Sequence, residues 1–93
     1  MGANAARHAT EIVANVRRVI AIELLTAAQA IDLREDGPAR LGRATRAAYD
    51  AIREQVAFLE HDRETTPDIE RLAALILAED MLRAVERVTR EGA

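Results

Sequence analysis

Ninety-three residues fit one domain. The formal charge of −3, carried against thirteen arginines and no lysine, gives no electrostatic reason to expect nucleic acid, and the absence of cysteine excludes disulfides and thiolate metal sites. Alanine fills 20 positions while Tyr49 and Phe58 are the only aromatics, so the chain favours helix but lacks the large side chains on which a small autonomous core depends.

The pattern predicts an all-α chain, a single helical segment made of one long helix followed by two shorter ones. The first helix is expected over about 3–33, where no Gly or Pro interrupts a run rich in alanine and leucine. At 1.5 Å per residue it would be ~45 Å long, far more than a globule of this size needs. Its best stripe is Ala9, Val13, Val16, Ile20, Leu24, Ala27 and Ile31, and a second apolar flank carries Ile12, Val19, Ile22 and Leu25. Between Val19 and Ile31 the polar positions are only Glu23, Thr26 and Gln29, a narrow seam on a helix otherwise apolar nearly all round. Such a helix needs packing partners on at least two sides.

The same run is too short for a membrane span, which takes ~20 residues, and Glu23 in its middle would be costly there. "MGANAARHAT" has no charged region leading into an apolar stretch of signal type. The expectation is a cytoplasmic protein with no membrane partner.

Gly37-Pro38 and Gly42 punctuate a charged loop over 34–42. A second, ordinary amphipathic helix is expected over about 43–60, with Tyr49, Ile52, Val56 and Leu59 facing a core. After a linker at 61–66, Thr66-Pro67-Asp68 reads as a cap, a proline at the first helical position, and a carboxylate near the positive helix end. A third helix is expected over about 67–90, with a break near 78–80 where the apolar stripe shifts phase and Asp80 can cap a last short piece.

Few constellations carry chemistry. His8 with Glu11, and Glu60-His61-Asp62, hold imidazole and carboxylate together, but the order and number do not match helical metal sites, and both read as solvated helix-end groups. Glu23 amid Ile20, Ile22, Leu24 and Leu25 must find a partner if buried, and an arginine from another helix or chain is the natural one. Gln29 reads as a hydrogen-bonding interface residue. Arg40, Arg43, Arg46 and Arg53 concentrate positive charge without a Gly-rich phosphate loop, so surface or intersubunit ion pairs are expected. No serine or cysteine occurs, and no threonine has a paired base. No catalytic, cofactor-binding or metal-binding residue is assigned, and the chain by itself makes a poor enzyme.

The text "ANVRRVIAIELLTAAQAIDLR", Ala14 to Arg34, resembles a helix near the C-terminus of the histidine ammonia-lyase and aromatic amino acid lyase family. "LGRATRAAYDAIREQVAFLEHDR" and "TPDIERLAALI" resemble that family's next two blocks, in the same order, from about Met1 to Val85. The resemblance implies a C-terminal, non-catalytic portion of an enzyme that eliminates ammonia from an aromatic amino acid or histidine. On this resemblance the chain would be a fragment, or a small subunit of a split enzyme, that supplies helices to the core of an oligomer, a homotetramer in the family. It also implies a methylidene-imidazolone group formed from an Ala-Ser-Gly in a missing upstream part, so no cofactor is expected in this chain. The family's Gln-Glu active-site pair would lie just before "MGANAAR". Two departures are His8, where the family usually has lysine or arginine, and the charged end "ERVTREGA". The competing expectation is a free-standing helical oligomerisation module with no enzymatic role.

Overall fold

The computed structural model describes residues 2–91. Its elements are α1 (Gly2–Asp32), a 3-10 turn (Gly37–Arg40), α2 (Arg43–Gln55), α3 (Thr66–Ala78) and α4 (Asp80–Glu91), with no strand among the described residues. The chain is therefore all-α. A tight turn follows α1: the Arg34 N–H donates to the Ile31 carbonyl and the Gly37 N–H to the Arg34 carbonyl, at 3.1 and 3.0 Å. Gly37 has φ +53°, a left-handed conformation that costs glycine nothing.

The second helix stops at Gln55, short of the end near Glu60 expected from its pattern. Val56 is extended, at φ −137° and ψ 120°, yet its side chain is fully buried. Side chains from elsewhere satisfy the backbone that a continued helix would have paired internally. Arg53 Nη1 donates to the Val56 carbonyl at 3.1 Å, and Arg63 donates to the carbonyls of Ala57 and Phe58 at 2.7 and 3.3 Å. The apolar positions past Gln55 reach the core from an extended strap.

Between α3 and α4 the chain breaks at Glu79, the only non-glycine residue with positive φ (62°) among those described. Its N–H donates to the Ile76 carbonyl at 3.1 Å, closing α3, and α4 then starts at Asp80 in a new direction. Thr66 lies inside α3 rather than capping it, and Thr65 before it makes no side-chain cap bond. Asp68 stands in the first turn of α3, near the positive helix end as expected, and is also buried, accepting from Arg63 Nε at 3.1 Å and Arg71 Nη1 at 3.2 Å.

Packing puts α3 along α1 and α4 along α2. The buried core is Ala21, Ala28, Ala51, Ile52, Val56, Leu72 and Leu75, with Leu24, Leu25, Tyr49 and Ile69 among those packed against it. Three of those seven are alanines, which let helices approach closely but bury little area each. The face of α1 that docks, centred on Ala21 and Ala28, lies between the two stripes expected from the sequence, and most of both stripes stays outside. The molecule is a slab of 53 × 40 × 16 Å. Its radius of gyration is 15.5 Å, against about 12 Å for a compact domain of this length.

Candidate functional site

From Gly2 to Val13 every residue of α1 is exposed. A helical arm of this length without packing is marginal in water, because tertiary contact supplies most helix stability in proteins. Further along, Val16, Val19, Ile20 and Ile22 remain 50, 55, 39 and 46% exposed, continuing the apolar surface begun by Ile12 and Val13. Each half-exposed Val or Ile leaves about 1 kcal/mol of burial unrealised. A contiguous exposed apolar surface of this kind is uncommon on a free-standing monomeric domain.

Glu23 stands on this open face, exposed, and no arginine among the described residues pairs with it. Thr26, next in the polar seam, turns its hydroxyl back to the Ile22 carbonyl at 2.8 Å. Gln29 has a different job from the one its sequence position implied. Its Nε2 donates to the Leu59 carbonyl and its Oε1 accepts the Leu59 N–H, both at 3.1 Å. The side-chain amide thus pairs with one residue of the extended strap as a neighbouring strand would, holding it within the chain. Between α1 and that strap runs an open, mainly apolar groove of about 610 Å³, lined by Ile22, Leu25, Leu33, Leu59 and Ile69 among others.

At the other end of α1, Asp32 is the hub of a polar clasp. Arg53 reaches its Oδ2 with Nε at 2.9 Å and Nη2 at 2.6 Å, and the Tyr49 hydroxyl donates to its Oδ1. Hydrogen bonding to Asp32 is the largest influence raising the Tyr49 pKa above its ordinary value, with burial second. Tyr49 therefore stays a neutral donor and has no character of a base. The Arg53 guanidinium lies 5.7 Å from the Tyr49 ring centre and 6.0 Å from that of Phe58, within range of cation–π attraction to both aromatics. Sequence reading missed this clasp because its members are 17 and 21 residues apart across a loop. The available signal was Tyr49 and Arg53 four apart on one helix face, opposite a carboxylate closing the preceding helix.

Three of the four clustered arginines make separate local contacts, and Arg43 is exposed at the start of α2. Arg53 joins the clasp, Arg46 pairs with Asp50 at 2.9 Å, and Arg40 lies 3.7 Å from Asp36. His8, Glu11, Glu60, His61 and Asp62 are exposed, and no group of three metal-ligating side chains occurs among the described residues. No described helix is long and apolar enough to cross a membrane.

Fold and site together define a helical element whose buried polar side chains, among the described residues, are all paired and whose longest apolar face is open. Residues 1–54 match the family described as aromatic amino acid lyase, and the chain belongs to that family. Over 88 residues it is 58% identical to the histidine ammonia-lyase of Symbiobacterium thermophilum, covering 95% of this chain and 17% of the relative. It is 43% identical over 91 residues to the histidine ammonia-lyase of Natranaerobius thermophilus, covering 98% of this chain and 18% of that protein. The corresponding protein of Clostridium tetani is 43% identical over 89 residues, 94% of this chain and 17% of its own length. The chain thus spans under a fifth of the length of these relatives. No solved structure matches it significantly.

Proposed function

We propose that the chain is the C-terminal, non-catalytic helical portion of an ammonia-lyase, contributing α1 to a helix bundle shared with the rest of the enzyme and with identical chains. The observation that carries this reading is the open apolar face of α1, where Ile12 is 61% and Val19 55% exposed on a helix that protrudes from its own core. Histidine is the substrate to test first, because the relatives are histidine ammonia-lyases. The electrophilic methylidene-imidazolone group belongs outside these 93 residues, since it forms from an Ala-Ser-Gly and the chain holds no serine. Its contribution to rate is then positional: reacting groups tolerate little displacement, and a bundle helix helps hold them.

Complementation tests the proposal. A histidine ammonia-lyase truncated before the matching region is co-expressed with the full 93-residue chain, and urocanate formation is followed by absorbance. The expected result is no activity from either part alone and activity from the pair. Ammonia release by the pure chain, or no association with the truncated enzyme, overturns the reading. A free-standing module is the second reading, favoured by one observation: among the described residues no buried side-chain polar atom lacks a partner, as in a unit able to fold alone. It predicts a folded, discrete oligomer that ignores the truncated lyase.

A further inference from the structure

The four helices are not fastened alike. Asp32 clasps α2 to α1, Gln29 brackets the strap, Arg18 reaches Glu70 of α3 at 3.0 Å, and Asp68 ties α3 to Arg63. Among the described residues, every side-chain hydrogen bond and ion pair of α4 stays within it. Arg83 pairs with Asp80 at 3.0 Å, Arg90 with Glu86 at 3.7 Å, and the Thr89 hydroxyl donates to the Val85 carbonyl at 2.8 Å. The helix packs chiefly on α2 and holds no buried residue, Met81, Ala84, Val85 and Val88 being half-buried. An open groove of about 410 Å³ remains between the two, with Ala47, Asp50, Ala51 and Glu54 of α2 on one side and Arg83 and Arg87 of α4 on the other. We propose that α4 is a lid, which lifts off α2 about Glu79 while the rest of the fold stays closed. This goes beyond the function proposed above and does not rest on it.

Glu79 supplies the hinge, and the apolar spacing supplies the reason for one. Continued as a single helix, α3 would carry Met81, Val85 and Val88 roughly a third of a turn away from Ile69 and Ala73, which line grooves against α1. The left-handed conformation at Glu79, φ 62°, re-aims them at α2. A glutamate adopts that conformation only at a cost, so closure of α4 is opposed at its own hinge. Once lifted, a helix of 12 residues has no packing and is marginal in water, so lifting and melting go together. Elements with few buried contacts open below the free energy of global unfolding, and α4 meets that description. Its opening bares Ala47 and Ala51 of α2 with Leu75 of α3, an apolar bed edged by Asp50 and Glu54.

Residue-resolved amide hydrogen exchange on the full chain tests the lid. The amides from Arg83 to Val88 should share one opening equilibrium, at least ~100-fold more populated than the opening that exposes Ala21, Ala28 and Leu72. Fraying gives a different pattern: a gradient that rises towards Glu91 and leaves Arg83 as protected as Leu72. Asp32 lies outside α4, and its clasp is intact whether the lid is open or closed. Asp32→Ala should therefore speed exchange at Ala21 and Leu72 at least ~10-fold while α4 stays within ~2-fold of the unmodified chain. Gln29→Ala takes its place should that variant not fold, with the same contrast expected. Equal protection of α3 and α4, a fraying gradient, or a common acceleration of both helices by these variants overturns the proposal. So does a chain without protected amides, which has no closed state for a lid to leave.

Discussion

Replacing Asp32 should be among the most damaging single polar substitutions in the chain. The Asp32 and Arg53 side chains are 17 and 15% exposed, and Arg53 approaches one carboxylate oxygen through two nitrogens while Tyr49 donates to the other. Asp32→Ala therefore strands a mostly buried guanidinium and removes the acceptor of the tyrosine hydroxyl. Breaking a fully buried pair costs 3–5 kcal/mol, and the residual solvent contact here lowers this to about 2–3 kcal/mol. For a domain of this size that corresponds to a fall of roughly 10–15 °C in melting temperature. Thermal unfolding followed by circular dichroism at 222 nm measures it, with Arg53→Met and the double variant completing a cycle. Arg53→Met keeps an apolar stem against Tyr49 and Phe58 but strips the Asp32 carboxylate of its cation and the Val56 carbonyl of a donor, so it should cost about as much as Asp32→Ala. The double variant should fall well short of the summed effects, with a coupling of at least ~1 kcal/mol. Additive effects, or a loss below about 0.5 kcal/mol for Asp32→Ala, would refute the clasp as an anchor between α1 and α2.

Tyr49 adds a pH signature. Its folded pKa lies above the ordinary value of 10.0, so the stability it confers is complete below pH 10 and is lost as pH rises through the folded value. Tyr49→Phe should remove that alkaline loss while costing about 1 kcal/mol at neutral pH, read from urea midpoints across pH 8 to 11. Gln29→Ala removes both bonds to Leu59 and should cost about 1–2 kcal/mol, with faster hydrogen exchange at the Leu59 amide; unchanged exchange would count against the strap. Glu79→Gly should stabilise by about 1 kcal/mol, because glycine meets no penalty at φ 62° between α3 and α4, and a destabilised variant would contradict this account.

The all-helical class was legible from composition and from the uninterrupted run before Gly37. Less legible was which face of α1 turns inward. Ranking by size selects Val13, Val16 and Ile20, whereas the docking face is built on Ala21 and Ala28, whose small side chains permit close approach but carry little hydrophobic signal. The end of α2 is hidden for a related reason. Val56 and Leu59 keep helical spacing, but Arg53, Arg63 and Gln29 hold that backbone in an extended path, and such capture by distant side chains leaves no local trace. For the candidate site, periodicity correctly marked an apolar excess that this chain cannot cover. It could not separate Gln29, which is spent on Leu59 inside the chain, from Glu23, which finds no ion-pair partner among the described residues.

That separation explains how a thin core can present a sticky face. The clasp at Asp32, the Gln29 bracket and the buried Asp68 pairs fasten α2, the strap and α3 to the C-terminal half of α1 using polar contacts with fixed geometry. Directional bonds specify one arrangement where alanine-rich packing alone would allow several. With the inner face settled in this way, the large aliphatic side chains of α1 remain available for outward use. Moving Ile12, Val16 and Val19 inward would enlarge the chain's own core at the expense of that exposed face. The internal polar contacts thus give the long helix a rigid backing while its large aliphatic side chains stay exposed. Glu23 is exposed on that face without an ion-pair partner among the described residues, so its replacement by leucine should change stability by no more than about 0.5 kcal/mol in thermal unfolding, and a larger loss would show that its carboxylate is held within the chain.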